Sequence, residues 1–356
     1  MPLTLTEEKA PDGHERLIYA EDPASGLRAY ICLHSTAYGP AAGGCRMWNY
    51  ASKEEARTDV LRLAGGMTSK NAMAGIELGG GKSVIIGDAR TDKSEDLFRS
   101  FGQAVHSLNG TYYTAEDVGI SPEDMAVVAR ETPYAVGLDG GPHGSGDPSP
   151  FTAEGVFQCL RAAREILSGS DNLKGQRVLV QGLGHVGMSL AQKLHAAGAD
   201  LIVSDINQAA LDEARQKLDA EICPVEAVFE TEFDIFAPCA LGGVLTAETA
   251  RKLTANLVCG AANNQLATPE VAEILRARNI QYLPDYVVNA GGIISVAGEI
   301  HKAGPGYREE RLTGIASRIR DILADSLRTG KTTIQVADDM VESILTQALQ
   351  VRKGAA

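Results

Sequence analysis

The sequence predicts an α/β protein of two domains, and three observations carry that expectation. The chain has 356 residues, enough for two domains or one large α/β unit but too many for one small core. A glycine- and proline-rich stretch, GLDGGPHGSGDPSP at 137–150, interrupts the regular patterning as an inter-domain hinge does. Beyond it, RVLVQGLGHVGMSLAQKLHAAGADLIVSDIN reads as strand, glycine turn, helix and strand. The expected domains are therefore 1–147 and 148–334, with a closing helix at about 335–356 packing back on the first.

Taken in order, short β-like runs at 29–34 and 83–87 alternate with helical stretches at 54–64 and 94–108. After the hinge comes a helix at 153–167, then a β-branched strand at 177–181. The turn Gly182-Leu183-Gly184-His185-Val186-Gly187 opens a helix reaching about residue 197, and a second strand at 201–204 ends in Asp205. Further strand-like runs lie in FDIFAPCA, NLVCGAAN and YLPDYVVNAGG, each ending in small or polar residues. Leu312, Ile315, Ile319 and Ile322 recur at helical spacing, a stripe expected to face the core. A last helix is expected at about 336–351.

Bulk properties exclude several partners. The net charge of −13 argues against nucleic acid or an anionic membrane, either of which selects a basic face. With 44% hydrophobic and 22% charged residues the chain has the make-up of a soluble enzyme. No apolar run approaches the roughly 18 residues of a membrane span, and the first residues lack a signal-peptide pattern. The six cysteines form no C-x-x-C and the seven histidines no H-x-x-x-H, so reduced thiols, a cytoplasmic location and no metal are expected.

The glycine turn carries the first chemistry. G-x-G-x-x-G alone is a weak signal, but here it lies between strand and helix, with an acid about 20 residues on, as a dinucleotide fingerprint requires. Gly182 permits the tight turn, Gly184 lets a pyrophosphate approach the backbone, and Gly187 packs helix on strand, while the helix N-terminus offers N–H groups. Asp205 can accept from both ribose hydroxyls and would repel a 2′-phosphate, which favours NAD over NADP. A similar fold without cofactor is the alternative. Asn263, Asn264 and Asn289 follow strand-like runs and are expected to face cofactor and substrate, the alternative being that they only cap loops.

AGIELGGGKSV, at 74–84, ends like a phosphate-binding loop, but Ile76 stands where the first glycine belongs. Lys82 therefore invites another role, and Lys70 in GGMTSKNA is a second lysine among small residues. Desolvation and a neighbouring cation favour a lysine's neutral form and make it usable as a base, and a second lysine binds a carboxylate. The alternative is two surface lysines. Glu116 and Asp117 in TYYTAEDVG offer a partner acid, and Gly43-Gly44 close backbone approach. The glycines beside Lys82 are expected to bring backbone and lysine close to a small substrate.

The set GPAAGGCRMW, GGMTSKNAMAGIELGGGKSVIIGD, YYTAEDVG, GSGDPSPFTAEGV, IFAPCALGG, CGAANNQLA and PDYVVNAGGIISVA resembles the amino-acid dehydrogenases of the Glu/Leu/Phe/Val family, with leucine and valine dehydrogenases nearest and phenylalanine dehydrogenase next. Agreement runs from about residue 38 to 296. The resemblance implies a Rossmann-type NAD domain, an α/β substrate and oligomerisation domain, a cleft between them, and a homo-oligomer. It implies NAD-dependent, reversible deamination of an L-amino acid to its 2-oxo acid and ammonia. By motif, Lys70 binds the substrate carboxylate, Lys82 is the catalytic lysine, Asp117 assists proton transfer at the amino group, and Asn289 contacts the substrate. Thr152, Ala262, Asn263 and Asn264 lie near the nicotinamide and its ribose.

By the same resemblance the side-chain pocket involves Ala42, Met67, Ala115, Ile293 and Val296. All are apolar, which disfavours glutamate and favours leucine, valine or isoleucine. Ala42 stands where leucine dehydrogenases usually have leucine, and the lost methyls leave room for phenylalanine or another aromatic. Asp147 replaces their usual asparagine. A P-loop NTPase is disfavoured by the misplaced glycine, and a silent NAD-binding protein by the presence of Lys70, Lys82 and Asp117 together.

Overall fold

The structure, a computed structural model, describes residues 2–138 and 146–354. The centre of the expected hinge, 139–145, and the last two residues of the expected closing helix lie outside the described residues. The chain has the expected α/β class, with two sheets. It divides into two compact units: Met1–Asp147 with Ser295–Tyr307 and Val341–Ala356, and Pro148–Ile294 with Arg308–Met340. Among the described residues no helix is long and apolar enough to cross a membrane.

The first unit is built from β1 (Thr4–Glu8), β2 (Arg16–Asp22), β3 (Leu27–Ser35), β4 (Ala41–Trp48), α1 (Lys53–Ala74), β5 (Gly79–Ile86), α2 (Glu95–His106), β6 (Tyr112–Glu116) and α3 (Pro122–Val128). Its mixed sheet runs β1-β2-β3-β5-β4-β6. The β1, β2, β3 and β5 neighbours pair antiparallel, and β4 runs parallel to both β5 and β6. Alternation sorts β3 between two cores. Tyr30 and Cys32 join Val84, Ile86 and the Ala56, Val60 and Ala64 stripe of α1. Ala29, Ile31 and Leu33 join Phe98, Phe101 and Val105 of α2 and Met125 of α3. With a helical layer on each face, β5 is buried along its whole length.

The second unit holds α4 (Ser149–Ser168), β7 (Arg177–Gln181), α5 (His185–Ala196), β8 (Asp200–Ser204), α6 (Gln208–Leu218), β9 (Glu221–Ile222), β10 (Ile235–Pro238), α7 (Ala247–Lys252), β11 (Leu257–Val258), α8 (Glu270–Ala277), β12 (Gln281–Tyr282) and α9 (Asp285–Val288). The helices α10 (Gly291–Ile300), α11 (Tyr307–Thr329) and α12 (Thr333–Gly354) complete the chain. The sheet is wholly parallel in the order β12-β11-β10-β7-β8-β9. That is the doubly wound order, in which ligand sites lie beyond the carboxyl ends of the strands. The stripe of α11 is buried as expected, with Leu312 and Ile315 against Gly155 of α4.

Three local differences from the sequence reading have physical causes. The helical stretch expected at 54–64 continues through Gly65 and Gly66, each worth about 1 kcal/mol against a helix relative to alanine. Burial of Thr68, Asn71, Ala72 and Met73 carries it on to a left-handed cap at Gly75, φ 66°. Met67 and Lys70 are therefore helical. YLPDYVVNAGG is a two-residue strand followed by α9, whose Val287 and Val288 are buried; a short apolar run does not distinguish buried strand from buried helix. Finally, the glycines before Lys82 are strand residues pressed against the protein's own chain. A Cβ on Gly79 would lie 2.1 Å from the Ser35 carbonyl oxygen, and one on Gly81 2.9 Å from the Tyr112 ring.

Gly80 is the tightest link between α1 and the sheet, since an added Cβ would fall 2.0 Å from Thr68 Oγ1 and 2.2 Å from Thr68 N. Gly80→Ala should therefore cost about 3 kcal/mol through overpacking. Thermal and urea unfolding measure it, and an unchanged transition would contradict the backbone contact.

Candidate active site

Lys82 lies mid-way along β5, with its side chain 7% exposed. A buried ammonium is stable only with a carboxylate partner, and Asp117, just past the end of β6, provides it: Lys82 Nζ is 2.8 Å from Asp117 Oδ2. Gly44 of β4 makes the meeting possible. A Cβ there would lie 2.8 Å from the Asp117 Cβ and 3.2 Å from Lys82 Nζ. The space of a missing side chain is thus the space in which the pair forms.

Other residues singled out from the sequence belong to the same unit. Gly44 is in register with Ala115 of β6, and Ala42 with Gly80 of β5. Both alanines are buried. The Ala42 carbonyl accepts from Asn71 Nδ2 at 3.2 Å. A Cβ on Gly43 would meet Met67 Cγ at 3.0 Å, which puts Met67 of α1 over β4. Lys70, half-buried, is two residues further along α1 from Thr68, and Val296 is buried on α10.

The sequence reading missed Arg46. Its Nε lies 3.2 Å from Asp117 Oδ2 and its Nη1 3.0 Å from Asp59 Oδ2. The signal was present, because Arg46 follows Gly44 by two residues and so shares its face of β4. Burial pushes the Asp117 carboxyl up, but the Lys82 and Arg46 cations outweigh that and hold it below its ordinary value. Asp117 is therefore ionised at neutral pH.

The second unit contains the glycine turn. Gly182 adopts φ 97°, and a Cβ on Gly187 would strike the Gly182 carbonyl oxygen at 1.9 Å. Gly184 is different: it is exposed, and a Cβ would meet nothing within 4 Å. It caps α5 without any side-chain hydrogen bond, leaving the first amides of the helix open to an anion. His185 is exposed and Val186 half-buried beside it. Asp205 accepts from the Leu183 amide through Oδ2 and from Asn207 N at 2.7 Å through Oδ1. Each oxygen keeps a lone pair for a ribose hydroxyl.

Beyond β11 and β12, Asn289 Nδ2 donates to Asn263 Oδ1 at 2.8 Å and to the Ala261 carbonyl at 3.1 Å. The structure thus joins these two, while Asn264 sits alongside in the left-handed region, φ 52°. Ala262 is buried, its amide donating to the Pro238 carbonyl. Thr152 lies in the first turn of α4 and donates to the Pro148 carbonyl at 3.1 Å; Gly291, two residues before the half-buried Ile293, packs against it.

A mixed sheet holding a buried lysine–carboxylate pair, and a doubly wound sheet with an open glycine turn, are the parts of a two-domain dehydrogenase. Family models agree: residues 14–134 match the Glu/Leu/Phe/Val dehydrogenase dimerisation domain, and residues 143–214 and 205–350 match glutamate/leucine/phenylalanine/valine dehydrogenase. Leucine dehydrogenase of Thermoactinomyces intermedius is 46% identical over 343 residues, covering 95% of this chain and 93% of the relative. Valine dehydrogenase of Streptomyces virginiae is 47% identical over 343 residues, covering 94% and 95%. The solved L-tryptophan dehydrogenase of Nostoc punctiforme matches with a TM-score of 0.85 at 36% identity, covering 95% of this chain and 97% of that one. The chain belongs to the Glu/Leu/Phe/Val dehydrogenase family and is an amino-acid dehydrogenase. Membership implies a nicotinamide cofactor, which the open Gly184 and the uncapped start of α5 fit.

The ion pair makes acid stability a test of the site. Since the Asp117 carboxyl is lowered in the folded chain, its ionisation adds stability that is complete above its ordinary value of 3.8 and lost as pH falls through the lowered one. Asp117→Asn should therefore unfold at a lower temperature than wild type at neutral pH, with the gap narrowing below about pH 4. A gap independent of pH in thermal scans would refute the ionised pair.

Proposed function

We propose that the protein catalyses reversible oxidative deamination of an apolar L-amino acid, leucine, valine or isoleucine, to the 2-oxo acid, ammonia and NADH. The buried Lys82–Asp117 pair at 2.8 Å carries the reading, beside strand positions occupied by Ala42 and Ala115. The leucine and valine dehydrogenases among the relatives support the same substrate class. Asp205, at the end of β8, supports NAD over NADP, because its carboxylate repels a 2′-phosphate.

When bound, NAD supplies the acceptor for the hydride leaving Cα. The rest falls to the chain. Lys70 pairs with the substrate carboxylate, and Gly43 and Gly44 let the substrate approach the backbone. Asp117 takes the proton that the ammonium must shed before Cα is oxidised. A carboxylate held low keeps a proton only briefly, which suits a relay. Lys82, in its neutral form, removes a proton from the water that attacks the substrate iminium, and Asp117 stabilises the ammonium so formed. On collapse of the carbinolamine, the amino group takes the proton held by Asp117 and leaves as ammonia, and the hydroxyl proton passes to the Asp117 carboxylate so freed. By their motifs, Ala42, Met67, Ala115, Ile293 and Val296 are assigned to the substrate side chain, and Asn289 to orienting the substrate. Thr152, Ala262, Asn263 and Asn264 bound the nicotinamide and its ribose. The dimerisation domain matched at residues 14–134 supports a homo-oligomer.

A second reading, an aromatic side chain, is favoured by Ala42 where leucine is expected, and by the likeness to L-tryptophan dehydrogenase. NADH formation with leucine, valine, isoleucine, phenylalanine, tryptophan and glutamate at alkaline pH separates the two. A branched-chain substrate should lead the aromatic ones by about tenfold in kcat/KM, the worth of one or two methylenes in an apolar pocket. An aromatic lead selects the second reading, and silence with all six sinks both. Lys82→Ala should lose about 10³-fold in kcat with NADH binding intact. Asp205→Ala should lower the NAD/NADP ratio of kcat/KM; an unchanged ratio would remove Asp205 from the ribose site.

A further inference from the structure

Asp117 Oδ2 is shared between two cations, Lys82 Nζ at 2.8 Å and Arg46 Nε at 3.2 Å. A guanidinium bound to one carboxylate alone would swing on its long stem. Arg46 is fixed at its far side as well, by Asp59 Oδ2 of α1 at 3.0 Å. Asp59 is in turn held on both oxygens: the Tyr50 hydroxyl donates to Oδ2 and Arg62 Nη2 to Oδ1, each at 2.8 Å. The chain Tyr50, Asp59, Arg46, Asp117, Lys82 thus links the segment after β4, and α1, to the central strand. Because a guanidinium presents its N–H groups in a rigid fork, its plane, once set by Asp59, dictates where the Asp117 oxygen lies.

We infer that Arg46 is a positioning residue of the dehydrogenase reaction. It fastens Asp117 to α1, so that one carboxylate oxygen stays within hydrogen-bonding reach of Lys82, and its charge prevents Lys82 from holding that carboxylate alone. The inference rests on the proton-transfer roles proposed for Lys82 and Asp117. A structural ion pair would need one acid; Arg46 divides itself between two, Asp59 at 3.0 Å and Asp117 at 3.2 Å, and the second belongs to the reacting pair. Charged and titratable groups face the guanidinium from α1 (Asp59, Arg62), from the segment after β4 (Tyr50), from beyond β6 (Asp117) and, across that carboxylate, from β5 (Lys82). Loss of the Arg46 charge removes one of the two cations that hold the Asp117 carboxyl low and so lets it rise toward its ordinary value.

The test compares Arg46→Gln, Arg46→Lys and Asp59→Asn with wild type in kcat, KM for leucine, the pH dependence of kcat/KM, NADH binding and thermal unfolding. Arg46→Gln should lose about 100-fold in kcat, the cost of a small misplacement at a reacting group, with KM changed less than about threefold. Its rising limb of kcat/KM should move up by about one pH unit. Arg46→Lys should return the limb to its wild-type position but recover less than about a tenth of the lost kcat, since an ammonium lacks the fork. Asp59→Asn, which touches neither Asp117 nor Lys82, should lose kcat about tenfold with the limb unmoved. Wild-type kcat and an unmoved limb in Arg46→Gln would overturn the inference, as would losses in all three variants that merely follow the fraction unfolded. Failure of the underlying reading is separable. Lys82→Ala with wild-type turnover sinks that reading, whereas an inactive Lys82→Ala beside a fully active Arg46→Gln sinks the role of Arg46 alone.

Discussion

An ammonium in the central strand of a buried sheet is the constraint on which the first unit depends. β5 has helices on both faces, so Lys82 has little water to solvate it. Left alone, it would lose its charge or unravel the strand. Asp117 answers this from beyond β6, and the neighbouring strand gives up a side chain at Gly44 so that the two can touch. A second cation, Arg46, then joins the carboxylate from that same strand. The charge arrangement that folding requires is therefore also the one on which the proposed chemistry rests.

The second unit meets a different demand. Its sheet is all parallel, and its backbone opens at the carboxyl edge, where Gly182 turns and Gly187 closes onto it. Both glycines are crowded by the protein, whereas Gly184 faces nothing. One motif thus contains two glycines that packing requires and one that stands in open space. Asp205 ties the turn to β8 through the Leu183 amide, so the acid that ends the strand also holds the glycine turn in place.

Much of this was legible in the sequence. The strand–turn–helix around Gly182 and the stripe of α11 follow from local periodicity, which a single chain displays directly. Lys82 and Asp117 could be named as a pair only because their motifs resembled a family's; spacing alone did not bring residues 35 positions apart together. Arg46 could have been placed on the face of Gly44 by strand alternation, but its meeting with Asp59 was hidden for the same reason, since that depends on β4 and α1 being neighbours in space. The glycines before Lys82 were read as room for a ligand. They make room for Thr68, Tyr112 and Ser35 instead, because a glycine's neighbour belongs to the fold and leaves no trace in the string. The length of α1 was missed where tertiary burial overrode the weak helix preference of Gly65-Gly66.

The contact between Gly80 and Thr68 has a consequence for how such an enzyme diversifies. There helix backbone rests on strand backbone, and Lys70 and Lys82 each lie two residues from the junction. Backbone atoms of Thr68 as well as its hydroxyl meet the strand there, so the placement of the two segments that carry the lysines has little room to drift. Side chains such as Met67 have no such restriction. Such side chains can change over evolutionary time while the two lysine-bearing segments stay where they are, a division between a part free to vary and a part locked by geometry.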